Sequence, residues 1–157
     1  MNLNVLEIFE AAKKDPELFS TLDIENILES VENEKNDYLE NKTMEDITRD
    51  VFENIQSTGI NKNKIKEFCD KLIGYRCVDE IHELFKGRHV RWIRRDSDVL
   101  TTGGIVVDIK FLKDGIQILI KNNLNRFIQY RFDDCITFQK LSAEEQLLLM
   151  AYEELKK

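Results

Sequence analysis

Residues 87–93 read GRHVRWI, and residues 103–111 read GGIVVDIKF. These two stretches decide the fold. Upstream of Gly87 apolar residues recur every three or four positions. From Val90 onward they recur every second position, so the chain passes there from helices to strands. Val90 and Trp92 alternate with Arg91 and Ile93 in a first strand. Asp96 to Gly104 is a loop closed by the Gly103-Gly104 pair. Ile105, Val107, Ile109 and Phe111 share one phase of a second strand, which directs all four, Phe111 included, toward the core. Asp114-Gly115 is a hairpin turn, Ile116, Ile118 and Ile120 mark a third strand, and Asn122-Asn123 turns the chain again. Residues 126–132 supply a fourth strand, Asp133-Asp134 a corner, and residues 135–138 a fifth. Five short strands with tight turns predict a small barrel or a curled sheet.

Working upstream, helical spacing dominates. Leu3, Leu6, Phe9 and Ala12 line one face of a helix over 3–14, Asp15-Pro16 resets the chain, and Glu17 to Ser20 is a short helical turn. Asp23 caps a helix over about 24–40 that carries Ile24, Ile27, Leu28 and Val31. Thr43 and Asp46 form a capping box ahead of a stripe of Ile47, Val51, Phe52 and Ile55, ended at Gly59. A helix over 62–73 turns Ile65, Phe68, Cys69 and Leu72 inward and stops at Gly74. Another, over 78–85, buries Val78, Ile81, Leu84 and Phe85. Downstream, Ser142 and Glu145 form a second capping box. A C-terminal helix follows, whose run Leu147 to Met150 puts apolar side chains on more than one face. The fold class expected is α+β: an acidic helical domain over 1–86, a β domain over 87–140, and a helix over 141–157 that packs on the rest.

The 157 residues include 42% hydrophobic and 34% charged ones, enough apolar material for a core and too much for a disordered chain. The net charge of −7 is uneven: residues 1–60 carry −10, residues 61–140 carry +5. A mildly basic β half can meet nucleic acid, an acidic partner or the chain's own acidic half. Cys69, Cys77 and Cys135 make an odd, irregular set rather than a disulfide framework. The N-terminus has no basic n-region, and no apolar run approaches the ~20 residues of a membrane helix. These features predict an intracellular protein of cytoplasm, nucleus or virion, with no membrane contact. The content of 17 Ile, 15 Lys and 12 Asn is that of an AT-rich coding sequence, as in large DNA viruses, some protists and many low-GC bacteria.

The order of glycine, strand with an aromatic, loop, and glycine-led alternating strand over about 87–139 resembles the opening of SH3-like barrels of the Tudor or chromo-barrel type. The resemblance implies a five-stranded barrel with a binding surface at one end. In Tudor-type domains that surface is an aromatic cage for methylated Lys or Arg, held by cation–π contacts. Trp92, Phe111, Tyr130 and Phe132 are the aromatics in this region, to be shared between such a cage and the core.

The densest basic cluster is Lys86, Arg88, His89, Arg91, Arg94 and Arg95. With Arg126 and Arg131 on neighbouring strands, and Trp92 and Tyr130 among them, it is the candidate surface for a nucleic acid or another partner. Its other use is docking the acidic helices. Asp79, His82 and Glu83 share a helical face, which reads as polar surface rather than a metal site. Cys69 and Cys77 lack zinc spacing. No P-loop, dinucleotide-binding glycine motif, HExxH or nucleophile elbow occurs, so no catalytic residue, metal or cofactor is expected. The chain reads as a non-enzymatic binding, adaptor or structural protein with a protein partner, in an assembly such as a viral one. Nucleic-acid binding through the strand face around Arg88 to Arg95 is the alternative.

Overall fold

The computed structural model describes residues 38, 39 and 42–155. The helices expected over 3–14 and 24–40, and the short turn between them, lie outside the described residues apart from Tyr38 and Leu39. The protein is α+β, with three α-helices among the described residues and a six-stranded antiparallel open sheet. The helices are α1 (Met44–Gln56), α2 (Lys62–Lys71) and α3 (Ala143–Leu155). The strands are β1 (Tyr75–Val78), β2 (His89–Arg94), β3 (Gly104–Leu112), β4 (Gly115–Lys121), β5 (Phe127–Arg131) and β6 (Cys135–Lys140). Short 3₁₀ turns occupy Ile81–Glu83 and Phe132–Asp134.

The chain divides into two compact units, one of Met1–Ile47 with Leu141–Lys157, the other Thr48–Lys140. The second unit therefore includes residues on both sides of Lys86-Gly87. In the first, Leu39, Ile47, Leu141, Leu148 and Leu149 form a buried cluster. The start of α3 is held by the expected capping box: Glu145 N–H donates to Ser142 Oγ at 3.1 Å and Ser142 N–H to Glu145 Oε1 at 2.9 Å. Tyr38 Oη donates to the other oxygen of the same buried carboxylate. The start of α1 is capped likewise, with Thr43 and Asp46 exchanging bonds of 3.0 and 3.2 Å.

In the second unit the strands lie in the order β1-β6-β2-β3-β4-β5. β6, last in sequence, is therefore interior, and both its faces are buried. Ile93, Ile136 and Phe138 turn one face to Val51 and Ile55 of α1 and to Ile65 and Phe68 of α2. Val90, Trp92 and Cys135 turn the other to Val106, Ile118, Ile120 and Tyr130. That second cluster exists because the sheet curls. In a flat sheet β5 would lie about 14 Å from β2 and about 19 Å from β6. Instead Tyr130 of β5 stacks on Trp92 of β2 with ring centroids 4.0 Å apart, and its hydroxyl lies 3.1 Å from Thr137 Oγ1 of β6. Gly103 and Gly104 permit the close crossing at the start of β3. A Cβ on Gly103 would sit 1.8 Å from the Val90 carbonyl oxygen, and one on Gly104 2.4 Å from that of Lys121.

Four expectations need correction. Residues 78–85 are not a helix: Tyr75–Val78 pairs with β6 as an edge strand, and Ile81–Glu83 makes only a 3₁₀ turn. Eight residues are too few to hold a helix without tertiary support, and here the tertiary partner, β6, selects the extended form. Phe52 does not join the buried stripe of α1 but is 42% exposed. The phase of β3 is inverted only up to a bulge between Val106 and Asp108, where Val107 is an extra residue; beyond it Ile109 packs on the cluster in the expected phase. Val106 points inward while Ile105 and Val107 point out. Phe111 is not in the core. It pairs with Ile116 at the hairpin tip, beyond the end of the cluster, and is 71% exposed.

Candidate partner-binding site

Beside β5 the curled sheet leaves a cleft of about 460 Å3, lined by Trp92, Arg94, Gln117, Ile128, Gln129, Tyr130, Arg131, Asp134 and Cys135. Of the residues expected to bind a partner, Trp92, Arg94, Tyr130 and Arg131 are brought together here. Their positions follow from local structure. Trp92 and Arg94 lie one pleat apart on β2, Tyr130 and Arg131 end β5, and the 3₁₀ turn Phe132–Asp134 carries the chain round to Cys135. The volume falls in the range of small-ligand and peptide pockets.

Trp92 and Tyr130 are buried and their rings are nearly parallel, at 13°. Their faces touch each other, so no cation can enter between them. Phe132 is half-buried against the same cluster, and Phe111 stands apart at the hairpin tip. Burial raises the Tyr130 phenol, and it pushes the Cys135 thiol up to about 11. Both stay neutral at the floor of the cleft. The rim is charged: Arg94 Nε lies 3.5 Å from Asp96, and Arg131 Nε 3.4 Å from Asp134, while Arg131 also donates to the Asp114 carbonyl. These pairs are exposed and each is worth less than about 1 kcal/mol.

The remaining basic residues are dispersed. Lys86 faces Asp108 at 3.5 Å. Arg88 donates to the Lys140 carbonyl at 3.0 Å and lies over the Phe85 ring. Arg91 is half-buried, its Nε donating to the Thr101 carbonyl at 2.8 Å. Arg95 borders a smaller pocket of about 170 Å3 with Cys77, Asp79 and Asp133. Arg126 is exposed in the β4–β5 turn, where its N–H donates to Asn122 Oδ1. Arg88 and Arg94 flank or end a six-residue strand and so stand about 20 Å apart along it. Asp79, His82 and Glu83 do not form a common helical face. Glu83 instead accepts from buried Arg76, Nη1 to Oε1 at 3.0 Å.

Sequence reasoning missed Gln117, Ile128, Gln129, Asp134 and Cys135. Only Cys135, next to a strand turn, carried any signal. The others matter through the strand edge they form, which alternation alone does not reveal. Among the described residues no group of three or more His, Cys, Asp or Glu side chains could hold a metal ion, and no helix is long and apolar enough to cross a membrane. Comparison with protein-family models, with curated proteins and with solved structures found no match to this chain.

Proposed function

We propose that this chain is a non-enzymatic adaptor or structural protein of a larger intracellular assembly, which makes protein contacts through an SH3-like barrel formed by β2 to β6. The order β6-β2-β3-β4-β5 supports the barrel: a four-strand meander whose fifth strand returns beside the first. The Trp92–Tyr130 stack supports it too, by drawing the ends of that meander together. The observation that carries the binding function is the cleft beside β5, with a neutral aromatic floor and arginines at its rim. The dispersal of the other basic side chains, most of them engaged with carboxylates or carbonyls, favours a protein partner over nucleic acid, which needs a continuous cationic track.

The test has two arms. Labelled single- and double-stranded DNA and RNA are titrated with the full chain at low and moderate salt, and a library of random displayed peptides is selected against the same protein. The expected result is no more than weak oligonucleotide binding, together with enriched peptides that lose affinity in Arg94→Glu and Arg131→Glu. Tight, steeply salt-dependent oligonucleotide binding, abolished by reversing Arg91, Arg94 and Arg95, would replace the adaptor reading with the nucleic-acid one.

A further inference from the structure

Four consecutive residues of β5, Ile128 to Arg131, line the cleft. Side chains of consecutive strand residues point to opposite faces, so it is the edge of β5, not one of its faces, that borders the opening. β5 is hydrogen-bonded to β4 alone. Its pairing phase follows from the turn: Asn122 N–H donates to the Arg126 carbonyl at 2.9 Å, and the pairs Lys121↔Phe127, Ile120↔Ile128 and Leu119↔Gln129 continue that register. Hydrogen-bonded and non-hydrogen-bonded pairs alternate in an antiparallel ladder. Ile128 and Tyr130 therefore spend their backbone groups on β4, while Phe127, Gln129 and Arg131 aim N–H and C=O away from it. The usual protections of an edge strand are missing: β5 has no proline and no bulge, and the charge it carries, Arg131, stands at its end.

We propose that this edge takes up an extended acidic peptide as an added β-strand, its main chain pairing with Gln129 and its neighbours and its carboxylates meeting Arg94 and Arg131. The inference rests on the adaptor reading above and gives it a partner chemistry. A strand along β5 would run about 17 Å, five residues. Arg94, Asp134 and Cys135 stand across the cleft from this edge. Two arginines against one aspartate line the cleft; Asp96 and Asp114, the other carboxylates they meet, stand outside the lining in exposed pairs that an incoming carboxylate can replace at little cost, so the favoured occupant is acidic. Main-chain bonds would supply affinity, and alternate side chains the selectivity.

The probe is a peptide enriched from the random displayed library, synthesised and added to the isotope-labelled full chain. The expected result is new hydrogen-exchange protection of the Phe127, Gln129 and Arg131 amides, with Ile128 and Tyr130 unchanged, and an excess of Asp and Glu in the selected sequences. Gln129→Pro removes one donor at a position where an edge strand tolerates proline. It is expected to cost about tenfold in affinity, the effect of one lost hydrogen bond. N-methylation of alternate peptide amides, which leaves the protein untouched, gives the same loss at every second position only. Peptides that bind but ignore both changes would overturn strand addition while leaving the adaptor reading in place. A library that yields no binder would overturn both. Concentration-dependent dimerisation that protects the same three amides without peptide would assign the edge to a second copy instead.

Discussion

Replacing Glu83 by Gln tests how the connection between β1 and β2 is fixed. Arg76 of β1 is 2% exposed. Its Nη1 donates to Glu83 Oε1 at 3.0 Å and its Nη2 to the Glu83 carbonyl. Gln139 of β6, fully buried, donates to the same carbonyl at 3.1 Å and accepts from Phe85 N–H at 2.9 Å. Three residues thus tie the segment after β1 to the centre of the sheet. Burial draws the Arg76 guanidinium down to about 10, with Glu83 as the main influence in the opposite direction, so it stays cationic at neutral pH. Removing one partner of a buried pair costs about 3–5 kcal/mol, because the other charge remains desolvated. Asp79 also acts favourably on Arg76, so the lower end, about 3 kcal/mol, is expected. The isosteric Gln keeps the shape and loses the charge. The chain has one tryptophan, Trp92, in the cluster of this unit, so its fluorescence during urea unfolding reads the stability of the right unit. A shift below about 1 kcal/mol would mean that the pair is solvated and that the network does not fix the connection. The double variant Arg76→Met, Glu83→Leu is expected to recover most of the loss.

Three further predictions follow from single sites. Tyr75 Oη lies 2.9 Å from His89 Nδ1, and burial first, then Arg91 and Lys140, hold His89 below its usual value. The unfolded chain then takes up the proton first, so stability is full above pH ~6.5 and falls as pH drops toward the folded value; the urea midpoint of His89→Gln should vary less between pH 7.5 and 5.5 than that of the native chain. Burial pushes Cys77 up to about 12 and Cys135 up to about 11, leaving Cys135 roughly one part in a thousand thiolate at pH 8. A thiol reagent should therefore modify neither within minutes until urea is added, and rapid labelling of Cys135 would contradict its burial. Gly103→Ala should cost at least about 3 kcal/mol, through overlap with the Val90 carbonyl. Gly59→Ala, at φ +78 with nothing within 4 Å, should cost about 1 kcal/mol from backbone conformation alone; equal thermal shifts in the two variants would show that Gly103 is not a steric requirement.

Much of this architecture was legible from spacing and turn chemistry. The capping residues Thr43 and Ser142, the stops after α1 and α2, and the strands β2 to β6 all announce themselves within a few residues, because their causes are local. The failures share a different cause. β1 is strand only because β6, some sixty residues later, offers it a partner. Phe111 follows the alternation correctly, yet it stands beyond the core, since a side chain's burial depends on where the sheet ends as well as on which way it points. The bulge at Val107 leaves no mark that Val106-Val107 would not also leave in an unbroken strand. The candidate cleft was half legible: its charged and aromatic members stood out, while its backbone edge, having no residue type of its own, did not.

β6 lies between β1 and β2 and pairs antiparallel with both. Those two strands are made first, and in the finished sheet they run parallel to each other with β6 between them. Neither has this partner until residues 135–140 have been made, so any sheet formed earlier leaves those two edges unpaired. A chain released at Asp134 would carry β1 to β5 and still lack the strand that joins the halves of its sheet. Its quickest remedy would be to borrow an equivalent strand from a neighbour, which makes premature termination here a route to strand-exchanged aggregates rather than to a smaller folded protein.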